Sequence, residues 1–181
     1  LNVFKYLTVR TGLAMFTSMF VVFLIGTPFI KFFSTNQILD PIRDDGPSDH
    51  IIKKIGTPTM GGVLILIGLF SGILLWGNLS SIYICFLIYI VASFGLLGAY
   101  DDYKKIKLKN SSGVSFRFKI ISQIVIAIVG IILLTYFSDH HELKNLYFPF
   151  FKNLVINLGW FFIPFAVFII VGSSNAVNLT D

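Results

Sequence analysis

Residues 55–100 read IGTPTMGGVLILIGLFSGILLWGNLSSIYICFLIYIVASFGLLGAY, 46 consecutive positions without an Asp, Glu, Lys or Arg. A helix crosses the hydrocarbon core of a bilayer in roughly 20 apolar residues, so this block holds two crossings. Gly77-Asn78 is a turn signal between them, with Trp76 and Tyr83 beside it as interfacial anchors. Outward from this block, three more uncharged stretches lie between Arg10 and Lys31 (20 residues), Lys119 and Asp139 (19 residues), and Lys152 and Asp181 (28 residues). Each is long enough for one crossing. The pattern predicts an all-α integral membrane protein with about five transmembrane helices, near 12–33, 59–76, 81–100, 118–137 and 156–174. Polar loops are expected over 34–58 and 101–117. Gly26, Pro28 and Pro164 fall inside the spans, where neighbouring helices satisfy the backbone.

Composition agrees. Of the 181 residues, 55% are hydrophobic and 13% charged, about half the charge of a soluble domain, and the mean hydropathy is +0.83. This excludes a secreted disulfide scaffold, a cytosolic nucleotide-binding fold and a nucleic-acid-binding domain. The net charge of +5 then reflects lysines at the membrane surface. The single cysteine, Cys85, leaves no intrachain disulfide. Alternate polar segments carry Lys31, Arg43, Lys53, Lys54, Lys104, Lys105, Lys107, Lys109, Arg117 and Lys119 on one side, against Lys5, Arg10, Lys144 and Lys152 on the other. Ten against four makes the first side cytoplasmic and puts the N-terminus outside. Leu1 in place of Met, and Asp181 directly after an apolar block, suggest one membrane domain from the N-terminal part of a longer chain.

Three polar segments meet on the cytoplasmic side. Asp101-Asp102-Tyr103-Lys104-Lys105 is expected at the inner end of the third helix, whose C-terminal dipole disfavours two carboxylates. Lys105, four residues after Asp101, is one compensating cation. A divalent metal is another, since Mg²⁺ is held by one or two carboxylates plus substrate phosphates. A solvated acidic pair balanced by lysines is the plainer reading. Gly56-Thr57-Pro58-Thr59-Met60-Gly61-Gly62 opens the second helix, with Thr57 as N-cap and Pro58 at the first helical position. With Lys53 and Lys54 before it, that N-terminus suits a phosphate, though it is equally an ordinary capped start with tight packing at the glycines. It is no P-loop, because no Lys-Ser/Thr follows. Asn175-Ala176-Val177-Asn178-Leu179-Thr180-Asp181 offers amide, hydroxyl and carboxylate groups to a uracil or sugar, or is simply a polar helix exit. His140-His141, with Asp139 and Glu142, falls across the membrane from these and reads as solvated loop. His50 has the right position without a nameable partner.

Taken together and in this order, Arg43-x-Asp45-Gly46-Pro47-x-x-His50, GTPTMGG, DDYKK and NAVNLTD resemble the phospho-N-acetylmuramoyl-pentapeptide transferase family over essentially the whole chain. GTPTMGG and NAVNLTD carry most of that specificity. The resemblance implies a ten-helix bacterial inner-membrane enzyme. It moves phospho-N-acetylmuramoyl-pentapeptide from UDP to undecaprenyl phosphate with Mg²⁺, releasing UMP and forming the first lipid intermediate of peptidoglycan. Carried over position by position, Asp101 and Asp102 match the family's catalytic and metal-binding aspartate pair. Lys54, Thr59, Lys105, Lys109, Asn178 and Asp181 match positions that bind substrate, and a homodimer is left open. One extra residue between His50 and Gly56 leaves Lys53 and Lys54 as alternatives for the pocket lysine. Ser112 stands where the family commonly has Lys. The family's Gly-Leu-Asp-Gly continuation, third aspartate and histidine cluster would lie beyond Asp181, so these 181 residues alone are expected to be inactive. Two other readings stay open: a transferase using UDP-GlcNAc, disfavoured by GTPTMGG, and a non-catalytic remnant of a decayed gene. A transporter half would place charges well inside the spans, whereas the charges within these bounds, Lys31 and Lys119, fall in the end turns.

Overall fold

In a computed structural model, residues 2–35, 60–108, 113–138, 141–148 and 150–180 are described. They form five α-helices: α1 (Leu7–Thr35), α2 (Gly61–Trp76), α3 (Ile82–Leu108), α4 (Phe116–Phe137) and α5 (Phe162–Thr180). A two-stranded antiparallel hairpin, β1 (Asn145–Phe148) and β2 (Phe151–Asn157), lies between α4 and α5. Four of the helices are long and apolar enough to cross a membrane, and α2 is shorter. At 1.5 Å per residue, its 16 residues rise about 24 Å.

The helices pack in chain order, each antiparallel to the last. Gly68 and Gly72 of α2 lie one turn apart against α1, so close that a Cβ on Gly72 would land on the Ser18 hydroxyl and the Ala14 carbonyl. Between membrane helices lipid supplies no hydrophobic drive, and such close backbone approach substitutes dispersion contacts for it. Gly95 of α3 meets Leu66 of α2, and Gly130 of α4 sits beneath Phe86, Tyr89 and Ile90 of α3. The core lies along α4, where Gln123, Ala127, Gly130, Ile131 and Leu134 are buried at helical spacing. Elsewhere large apolar side chains such as Phe20, Phe23, Leu96 and Phe168 face outward, as lipid contact requires.

Three boundaries differ from the sequence expectation. Met60 has a φ of 65°, in the left-handed region, so α2 starts at Gly61 with Met60 as its N-cap; Thr57 and Pro58 lie outside the described residues. The third helix does not end at Tyr100: it runs through Asp101 and Asp102 to Leu108. No Gly or Pro interrupts it there, Asp101 and Lys105 pair across one turn, and its last turns carry Lys105 and Lys107, the favourable charge for a helix C-terminus. The segment before the last helix is not a loop running into a helix at 156. Its aromatic and β-branched residues pair as strands, with Tyr147 opposite Val155 and Leu146 opposite Ile156. Asn157 closes the hairpin: its Nδ2 donates to Asn145 Oδ1 at 2.7 Å, and its Oδ1 accepts the Gly159 N–H at 2.9 Å. Gly159, with φ 51°, then turns the chain into α5.

Candidate functional site

The alternating helices collect the C-terminal ends of α1, α3 and α5 and the N-terminal ends of α2 and α4 at one end of the bundle. Asp101 sits there, two turns before the end of α3. Its Oδ1 accepts the Val114 N–H at 2.7 Å, and its Oδ2 pairs with Lys105 Nζ at 2.8 Å. Lys105 also reaches Asp102 Oδ1, more loosely, at 3.3 Å. Thus one lysine bridges both carboxylates, and one carboxylate ties the start of α4 to α3.

Gly113 makes that tie feasible. Its φ of 54° turns the chain so that the following N–H points at Asp101. A Cβ at this position would strike the Asp101 carboxylate and the Lys105 side chain. Only glycine combines that backbone conformation with that proximity.

These groups lie past Tyr100, beyond the uncharged stretch. Partial burial pushes the Asp101 carboxyl upward, but the Lys105 ammonium, the Val114 N–H and the charge of Lys119 outweigh it and hold Asp101 below the usual carboxylate value. Burial likewise pushes Lys105 down, while Asp101 and Asp102 more than compensate and hold it above the usual lysine value. Near neutral pH Asp101 is therefore a carboxylate and Lys105 an ammonium. The Asp101 side chain keeps 14% of its surface exposed and that of Asp102 34%, so Asp102 is the more open of the pair.

Of the residues singled out from sequence, Asp101, Asp102 and Lys105 are brought together. Asn178 lies in the last turn of α5, at the same end of the bundle. Lys54, Thr59, Lys109 and Asp181 lie outside the described residues, as does the Arg43–His50 segment. Among the described residues, no three His, Cys, Asp or Glu side chains converge as a metal cluster. Sequence reasoning missed the Val114 N–H, because a backbone donor leaves no signature in side-chain types. It also missed Gln123, a lone amide in an uncharged block. That amide accepts a hydrogen bond from Asn175 Nδ2 of α5 at 2.7 Å.

Comparisons with known proteins bear on the same segments. The family model described as glycosyl transferase family 4 matches residues 83–181, which include the acidic pair and the Asn175–Asp181 segment. The phospho-N-acetylmuramoyl-pentapeptide-transferase signature 1 matches residues 54–66. A phospho-N-acetylmuramoyl-pentapeptide-transferase of Pelagibacter ubique (strain HTCC1062) is 81% identical over 181 residues, all of this chain and 50% of that protein. Proteins with the same name from Thermodesulfovibrio yellowstonii and Caulobacter vibrioides are 47% and 44% identical, again over the whole chain and 50% of their own length. The chain spans about half the length of the curated relatives it matches. A multi-pass membrane protein by its helices, with a family match over more than half its length, the chain belongs to glycosyl transferase family 4 and carries within it the phospho-N-acetylmuramoyl-pentapeptide-transferase signature.

Proposed function

We propose that the full protein transfers phospho-N-acetylmuramoyl-pentapeptide from UDP to undecaprenyl phosphate, releasing UMP, at the inner face of the bacterial cytoplasmic membrane. The observation that carries this reading is the likeness, along all 181 residues, to relatives named for that transfer. The geometry of the Asp101 cluster agrees with it. One substrate is a membrane lipid and the other a water-soluble nucleotide sugar, so the site must lie where a helix leaves the apolar layer. The acidic pair lies at such a point, immediately past the uncharged stretch of α3.

In the proposed reaction an oxygen of the lipid phosphate attacks the sugar-bearing phosphorus of the UDP-sugar. The new P–O bond forms the lipid diphosphate as the bond to the bridging oxygen breaks, and UMP leaves with that oxygen. Such transfers depend on alignment and charge neutralisation more than on a covalent protein nucleophile, so we favour direct attack. Asp101 and Asp102 are assigned the catalytic role. Lys105, already between the two carboxylates, is assigned to a substrate phosphate, with Lys109 four positions further along the sequence. Lys54 (or Lys53) and Thr59 are assigned to the donor's phosphates, and Asn178 and Asp181 to its nucleotide.

The donor set also fits Mg²⁺. Among the described residues Asp102 is engaged only by Lys105, at 3.3 Å, and a site of one or two carboxylates completed by substrate phosphates is the mode this ion favours. Asp101 and Asp102 would hold the ion, which when bound would neutralise the charge of the donor diphosphate.

The test is UMP release by the full-length protein in detergent with undecaprenyl phosphate as acceptor. Release with UDP-N-acetylmuramoyl-pentapeptide and none with UDP-GlcNAc is expected. The opposite selectivity would assign the protein to the related UDP-GlcNAc transferases, and no release with either would favour the remnant reading.

A further inference from the structure

Gln123 is the one buried polar side chain among the described residues, 3% exposed, on the α4 face that also buries Ala127, Ile131 and Leu134. Its Oε1 accepts the Asn175 Nδ2 hydrogen bond across the α4–α5 seam at 2.7 Å. Asn175 Nδ2 also donates to the Val171 carbonyl one turn back, at 2.8 Å, which fixes its rotamer. An amide left alone in this apolar seam would forfeit its hydrogen bonds, so each side chain requires the other. Seams of Ile, Leu and Val alone tolerate rotation and sliding of one helix on the other. A paired amide does not, because its geometry is met at one depth and one rotation only.

The position of the pair gives it a use. Gln123 stands one turn after Lys119, at the end of the buried α4 face nearest the Asp101 cluster. Asn178 follows Asn175 by three residues in the last turn of α5. We infer that Gln123 and Asn175 are positioning residues that set the depth and rotation of the last turns of α5, and so aim the Asn178–Asp181 segment at the nucleotide of the UDP-sugar. This rests on the donor-binding role proposed above for Asn178 and Asp181.

The test uses the full-length protein with Gln123→Leu, Asn175→Leu and the exchanged pair Gln123→Asn with Asn175→Gln, which keeps the combined side-chain length. Donor and acceptor KM, kcat and melting temperature are measured for each. Each single variant should raise the donor KM at least about fivefold, the worth of one net hydrogen bond. Its kcat and lipid-phosphate KM should stay within about twofold of wild type, and the exchanged pair should bring the donor KM back. A donor KM unchanged in folded single variants would overturn the inference. So would an exchanged pair that melts like wild type yet keeps a raised donor KM. Should the leucine variants fail to fold, the exchanged pair decides by the same criterion, a wild-type donor KM supporting the inference. Wild type that does not turn over UDP-N-acetylmuramoyl-pentapeptide would instead sink the proposed function, so the two failures are distinguishable.

Discussion

The two ends of the helix bundle satisfy their polar groups in opposite ways. At the end opposite the acidic pair, Arg10 of α1 donates from Nε at 2.7 Å and from its terminal guanidinium nitrogen to the Trp76 carbonyl, the last residue of α2. The Trp76 indole donates to Thr17 Oγ1 at 2.9 Å, and Phe4 stacks on its ring. A cation thus closes a helix C-terminus, whose carbonyls lack intrahelical partners and whose dipole favours positive charge. At the other end, Asp101 and Asp102 share one lysine, and Asp102 remains a third exposed. The first arrangement is closed and has little to offer a ligand. Among the described residues, the second pairs two acidic side chains with one lysine. A cap commits its cation to the backbone, whereas the site proposed for phosphates and a metal leaves a carboxylate partly exposed.

That contrast can be broken at several points. The largest effect is expected from Asp102→Asn in the full-length protein. Transfer should fall by about 100-fold or more with the melting temperature nearly unchanged, since removing a single electrostatic stabiliser of a transfer reaction costs on that order. Wild-type turnover would refute the assignment. Gly113→Ala is expected next. The left-handed conformation costs an alanine about 1–2 kcal/mol, and its Cβ displaces Asp101. Turnover should fall about tenfold, as for a reacting group moved by less than an ångström. A turnover like wild type would mean that the Val114 tie does not position the carboxylate.

Gly72→Leu probes the packing instead. Overpacking costs about 1–3 kcal/mol, so thermal stability should drop by several degrees, with residual folded protein still turning over. An unchanged melting temperature would show that α1 and α2 do not approach as closely as Ser18 and Ala14 imply. The smallest effect is electrostatic. With Asp101 held below its ordinary value of 3.8, its contribution is fully present above that pH and is lost as pH falls through the lowered value. With Lys105 held above 10.5, its contribution is present below that pH and lost above the raised value. The melting-temperature difference between wild type and Lys105→Met should therefore be level across neutral pH and vanish in strong acid. A difference that changes between pH 6 and 8 would contradict the ion pair.

The apolar blocks announced the five helices, because in lipid a long uncharged run has few alternatives to a helix. Their ends were less legible. Nothing in Met60 as a residue type signals a left-handed backbone, and nothing in Asp101-Asp102 says that the helix continues through them until the Lys105 pairing is seen. The hairpin was hidden by Val155 and Ile156, which suit an apolar helix start as well as a strand. In the site, Asp101, Asp102 and Lys105 were readable from spacing, since positions four apart meet on a helix. Val114 and the Gln123–Asn175 pair were not, because both depend on how one helix docks against another.

The most direct test of the contrast is to assay Asp101→Asn and Arg10→Met side by side in the full-length protein, for transfer and for melting temperature. Asp101→Asn should abolish most transfer while melting within a few degrees of wild type. Arg10→Met should lower the melting temperature and leave turnover at the wild-type level. An active Asp101→Asn, or an Arg10→Met variant that folds normally yet loses transfer as completely, would contradict the division of labour between the two ends.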